Sequence, residues 1–143
     1  MDEEAAPLIH ILDAGPLIAA LNRDDAFHRW ARTTLDRLGP PFHTCPEAMA
    51  EAAAMTGRPA AIVEMIQAGE IILAFDLGAQ ASSVLTILRK YRDRDIDLAD
   101  ACIVRMTELT RDCKVITLDR ADFAVYRRNG RDLIPIVAPP PAR

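Results

Sequence analysis

Two short β-branched runs in this chain each end in an acid, and that pattern constrains the fold more than any other feature. Leu8-Ile9-His10-Ile11-Leu12 runs into Asp13, and Val115-Ile116-Thr117-Leu118 runs into Asp119. Runs of this length and composition read as strands, so each acid is delivered at a strand tip. Between them, Ile96-Asp97-Leu98-Ala99-Asp100-Ala101 opens a helix with two carboxylates three residues apart, on one helix face. Acids at the carboxyl ends of strands, with more at a helix start, suggest a cluster able to hold a divalent cation.

The remaining segments alternate. Asp13-Ala14-Gly15-Pro16 turns into a helix that ends near Asn22, with Pro16 suited to the first helical position. Asp24 or Asp25 caps a helix running through His28 and Trp30 to Leu38, where Gly39-Pro40-Pro41 stops it. Phe42-His43-Thr44 reads as a second strand, followed by helices from Pro46 to Met55 and from Pro59 to Gln67, the latter terminated by Gly69. Ile71 to Phe75 is the third strand, Gly78 to Tyr91 a helix, and Val115 to Thr117 the fourth strand, with a helical turn near Phe123. Leu133 to Val137 reads as an edge strand, because Pro135 cannot donate a ladder hydrogen bond. Strands alternating with helices imply a parallel sheet covered on both faces. With no internal repeat and no linker, residues 1–143 read as one α/β domain in which 138–143 form a loose tail.

A chain of 143 residues, 50% hydrophobic and 27% charged, has the balance of a soluble globular domain. Its net charge of -4 argues against non-specific nucleic-acid binding over the whole surface, though not against a local basic groove. Cys45, Cys102 and Cys113 are odd in number and lack Cys-x-x-Cys spacing, so neither a disulfide framework nor a zinc site is expected. The acidic start, Met1-Asp2-Glu3-Glu4, is the opposite of a signal peptide, and no apolar run has the length of a bilayer span. The expected location is cytoplasmic, with no membrane partner.

In open parallel sheets ligands sit beyond the carboxyl ends of the strands. Clustered carboxylates there repel one another and suit hard, oxygen-seeking ions such as Mg²⁺ or Mn²⁺. Each acid also has a structural explanation. Asp97 with Asp100, and Asp119 with Asp122, match a helix cap followed by an acid three residues later, and Asp13 could cap its own helix. His28 reads as a structural residue that caps or orients a helix start, and Arg89, Lys90, Arg92 and Arg94 as either phosphate contacts or a solvated helix end.

Taken in order, Leu12-Asp13-Ala14-Gly15-Pro16-Leu17-Ile18, Asp25-x-x-His28, Thr44-Cys45 leading to Glu51-Ala52, Asp97-Leu98-Ala99-Asp100-Ala101 and Thr117-Leu118-Asp119-Arg120-x-Asp122-Phe123 resemble a PIN domain. The VapC-like toxin ribonucleases of toxin–antitoxin pairs are the subgroup they look like. The resemblance implies a three-layer α/β/α fold with sheet order 3-2-1-4-5 and a metal-dependent endoribonuclease using a metal-activated water. It also implies a cognate antitoxin as inhibitor and a homodimer. Its acidic positions fall on Asp13, Glu51, Asp100 and Asp119, with Asp97 and Asp122 as outer neighbours and Thr117 at a hydroxyl position.

Two departures stand out. Ala14 replaces the Ser or Thr that many relatives carry after the first Asp, and Glu47 competes with Glu51 one turn away on the same face. Two other readings use the same residues. One is a non-catalytic RNA- or protein-binding module that kept the fold; the other is a metal-dependent phosphatase or DNA nuclease. A haloacid-dehalogenase-type phosphatase would want an acid two residues after Asp13, where Gly15 stands.

Overall fold

The computed structural model describes residues 7–141; the acidic start of the chain and the last two residues of its tail lie outside them. Five strands form one parallel sheet: β1 (Ile9–Leu12), β2 (Phe42–Thr44), β3 (Ile71–Leu73), β4 (Cys113–Ile116) and β7 (Ile136–Val137). Their order is β3-β2-β1-β4-β7. The connecting helices are α1 (Ala14–Leu21), α2 (His28–Leu38), α3 (Pro46–Thr56), α4 (Pro59–Gln67), α5 (Leu77–Lys90), α6 (Leu98–Leu109) and α7 (Arg120–Val125). A two-strand antiparallel ribbon, β5 (Arg127–Arg128) with β6 (Asp132–Leu133), stands apart from the sheet.

Neighbouring residues of a strand point to opposite faces. Ile11 and Leu12 are both fully buried, as are Val115 and Ile116, so both faces of the central strands are covered. The arrangement is consistent with three layers, helices around a parallel sheet. One continuous apolar core joins Leu17, Phe42, Ile62, Ile71, Ile103, Val115 and Phe123 from elements spread along the chain. No described helix is long and apolar enough to cross a membrane.

Several boundaries differ from the sequence reading, each for a local reason. Leu133 to Val137 is not one strand. Leu133 pairs in the ribbon, and only Ile136–Val137 joins the sheet edge, because Pro135 has no N–H to continue the ladder. Its carbonyl still accepts from the Val115 amide at 2.9 Å. The third strand stops at Leu73, since Asp76 then caps α5 by accepting from the Gly78 amide. Neither Asp24 nor Asp25 caps α2. Asp25 instead accepts from the Phe27 amide at 2.8 Å, which closes a turn before the helix begins at His28. Pro16 sits third in α1 rather than first because Asp13 is the cap; its missing N–H still falls in the first turn, where no donor is needed.

Candidate metal centre

Strands β1 and β4 run parallel and in register, with Leu12 beside Ile116, so the residues that follow both leave the sheet on the same edge. This register brings Asp13 next to Thr117 and Asp119. The Asp13 amide donates to the Ile116 carbonyl at 3.0 Å. The Thr117 hydroxyl donates to Asp13 Oδ2 at 2.8 Å and accepts from the Asp119 amide at 3.0 Å. One buried hydroxyl therefore ties the two strand tips together. On the other side Thr44 donates to the Leu12 carbonyl at 2.6 Å, holding β2 against the same tip.

Helix α6 supplies the next acids. Asp97 is its N-cap, accepting from the Asp100 amide at 2.7 Å, and Asp100 then projects from the first turn. Asp119 caps α7 in the same way, accepting from the Asp122 amide at 3.1 Å. Asp13 caps α1 through the Ala14 amide at 2.9 Å. The capping explanations are thus correct for Asp13, Asp97 and Asp119, and not for Asp100. The caps at Asp97 and Asp119 take one carboxylate oxygen each. Capping therefore leaves the second oxygen of these two acids for another partner.

Asp13, Glu51, Asp97, Asp100 and Asp119 line a single cleft of about 180 Å³, with Gly15 at its wall. A Cβ on Gly15 would press on Leu118 at 3.3 Å. Asp100, Asp119 and Asp122 each present an oxygen within 4.8 Å of the others, the only such trio among the described residues. Glu51 faces the cleft. Glu47 does not line it; its Oε1 is buried without a hydrogen-bond partner. Asp122 is held from outside the cleft by Arg94, Nη2 to Oδ1 at 3.1 Å.

The electrostatics follow from the crowding. Burial raises the Asp100 carboxyl to about 8, helped by Asp13, Asp97 and Asp119 and opposed by the Tyr126 hydroxyl. Burial also lifts Asp13 to about 6, against the pull of Thr117 and the Ala14 amide. Glu51 is raised by burial and by Asp97, and Asp119 by burial and by the adjacent Asp122. In the metal-free protein this edge of the sheet therefore holds protons that an ordinary carboxylate would release.

The other candidates fall elsewhere. His28 Nδ1 bonds the Ala19 carbonyl at 2.8 Å and pins the start of α2 to α1, a structural role for a residue that sequence offered as a cap or an orienting group. Lys90 donates to the Gly130 carbonyl, Arg94 is taken by Asp122 and Arg92 lies 4.0 Å from Asp93, so three of the four basic residues read as phosphate contacts have partners within the chain. All three cysteines are free and buried; burial pushes the Cys45 and Cys102 thiols up to about 12, which removes them as nucleophiles.

Tyr126 is the residue that sequence reasoning passed over. Buried edge-on between Tyr91 and Phe123, it donates from its hydroxyl to Asp100 Oδ2 at 3.3 Å. Nothing in the motif blocks marks it, because its placement depends on partners far away in the chain, Tyr91 and Asp100. Tyr126→Phe should keep the ring packing and weaken metal binding about tenfold, the usual cost of losing a group that orients a ligand. Isothermal titration with Mn²⁺ reads this directly. An unchanged affinity would mean that the Tyr126 hydroxyl has no hold on Asp100.

No family model matches the chain, and no curated protein shows a significant match to it.

Proposed function

We propose that this chain is a metal-dependent endoribonuclease with a PIN-like fold, of the kind it resembles among VapC-like toxins, and that a cognate antitoxin restrains it. The observation that carries this reading is the meeting of Asp13, Glu51, Asp97, Asp100 and Asp119, from four separate parts of the chain, at one cleft. Gathering like charges disfavours folding unless a cation later neutralises them. The sheet order β3-β2-β1-β4-β7 agrees with the order the resemblance implies once the β5–β6 ribbon is set aside.

The donor set suits Mg²⁺ or Mn²⁺: only carboxylate oxygens, no thiolate or imidazole, in a cleft open to water. Asp13, Asp100 and Asp119 with Glu51 would hold the ion; Asp97 lines the same cleft, and Asp122 brings an oxygen within 4.8 Å of Asp100 and Asp119, so both could complete its shell. When bound, such an ion neutralises a phosphate and lowers the pKa of water. The chain's own residues do the rest. Thr117 holds Asp13 against Asp119, Tyr126 orients Asp100, and Arg94 offsets the charge of Asp122.

Purified protein should cut RNA with Mg²⁺ or Mn²⁺ and stop when EDTA is added. Expression alone should arrest growth in the native host, and co-expression of the antitoxin, inserting an Arg or Lys among these acids, should relieve it. Harmless expression without any antitoxin would remove the toxin part of the reading. By the same resemblance the protein is a homodimer, which light scattering on the eluting peak would read.

A further inference from the structure

The acid cleft does not stand alone on its surface. Ile18 lines it and also lines a second cleft of about 420 Å³, whose other walls include Arg23, Met55 and Arg58. Arg23 and Arg58 in turn line a third cleft of about 550 Å³, together with His28 and Arg32. Shared walls set the three clefts side by side, from the carboxylates past the end of α1 to the face between α2 and the start of α4.

Three features of these clefts point to an anionic occupant. Arg23, Arg32 and Arg58 are all exposed, and among the described residues none of them forms an ion pair. All three line one shared space, and Arg32 also borders a neighbouring cleft that holds Asp36 and Glu70. The backbone beneath them is held. Arg23 sits in a turn where Asn22 Oδ1 accepts from the Asp24 amide at 3.1 Å and the His28 ring bonds the Ala19 carbonyl. Arg58 follows Gly57, whose φ of 64° makes the left-handed turn between α3 and α4, and its amide is fixed by Thr56 at 3.1 Å. The opposing acid in the middle cleft is Asp24. Met55, 69% exposed on the same wall, offers an apolar face beside the charges.

We propose that Arg23, Arg32 and Arg58 form a track for the phosphates of a single-stranded RNA, leading it to the acid cleft at the tips of β1 and β4. This rests on the nuclease reading above and adds where the strand lies. A chain of net charge -4 with an acidic cleft repels RNA at the point of chemistry, so the attraction must come from the flank. Guanidinium groups pair with phosphate oxygens through two N–H donors and carry no sequence information. The track therefore sets affinity and strand direction and leaves sequence choice to other contacts.

The test measures binding of a mixed-sequence oligoribonucleotide of about twelve nucleotides by fluorescence anisotropy over a range of salt. Ca²⁺ replaces Mg²⁺ to fill the oxygen site. Arg32→Ala/Arg58→Ala should bind about tenfold more weakly. Its slope of log affinity against log salt should be shallower by about 1.4, the loss of two phosphate contacts to a single strand. Arg32→Lys/Arg58→Lys should keep most of the affinity and the slope, with all proteins melting within a few degrees of one another. In Mn²⁺ the alanine variant should raise KM and leave kcat unchanged. If the alanine variant binds and cuts RNA as the native chain does, the track is wrong and the nuclease reading stands. If it keeps RNA binding but escapes the antitoxin, the row of clefts is a protein contact and the proposal falls. If the native chain neither binds nor cuts RNA, both readings fall together.

Discussion

Asp13→Asn and Asp100→Asn should each lower RNA cleavage by about 100-fold or more while leaving the fold in place. Asn matches Asp in size, and at position 13 its amide oxygen can still accept from the Ala14 amide while its NH₂ faces Thr117. At position 100 it can still accept from Tyr126. On the proposed reading, what is lost is one carboxylate charge that would hold and position the ion, and the ion is what would neutralise the phosphate. The measurement is the initial rate on RNA with saturating Mn²⁺, with circular dichroism to show that the fold persists. Full activity in both variants would trace the cleavage to a contaminant and end the assignment of these acids.

The second large effect is on stability, and it needs no substrate. Asp13 at about 6 and Asp100 at about 8 bind protons more tightly folded than unfolded, where an aspartate sits near 3.9. A raised folded pKa gives stability that is complete below about pH 4 and is lost as pH rises through 6 and then 8. Metal-free protein should therefore melt progressively lower from pH 4 to pH 8.5. On the proposed reading, Mg²⁺ or Mn²⁺ favours the assembled site over the unfolded chain. At a hundredfold excess over Kd it should restore about 2.7 kcal/mol, on the order of 5–10 °C for a domain of this size. The metal effect should grow with pH, because binding displaces the protons.

Asp100→Asn should flatten the metal-free pH profile, melt higher than the native chain near pH 8, and respond little to metal. A purely structural role in the first turn of α6 gives the opposite sign, a loss of roughly 0.3–1 kcal/mol of dipole interaction. Asp97 provides the contrast, since it is the cap that α6 uses. Asp97→Ala should cost about 1 kcal/mol at low pH, where the cap is its main role, and less near pH 8, where it also removes a charge beside Asp13 and Asp100. Differential scanning fluorimetry across pH, with and without Mn²⁺, separates the two. An Asp100→Asn protein that melts lower without metal and keeps its full metal response would place the ion elsewhere.

Much of this was legible before any coordinates. Alternating apolar runs and helical stretches determine a parallel α/β sheet, because strand and helix periods cannot be exchanged. The four strand runs and most helix ends lie within one or two residues of where Gly, Pro and the capping acids put them. The acids at the ends of those runs could also be named from sequence, since a residue that closes a strand or caps a helix emerges where the element ends. For Asp97 and Asp119 sequence offered cap and ligand as rivals, and the folded chain shows that a cap needs only one of the two oxygens.

Tertiary structure decided what depends on side-chain direction and on partners distant in the chain. It turned Glu51 toward the cleft and left Glu47 out of it, a choice that two acids one turn apart on one helix face do not announce. It broke the Leu133 to Val137 run at Pro135, because only Ile136 and Val137 meet β4. Tyr126 was set on Asp100 across 26 residues, and Arg94 on Asp122 across 28, so the four basic residues before α6 ceased to be a uniform surface. It also gathered Arg23, Arg32 and Arg58, which share no motif and no helix face, around one cleft. The physical reason is the same in each case. Backbone periodicity is a local property written in neighbouring residues, whereas the distance between two side chains depends on how whole elements pack.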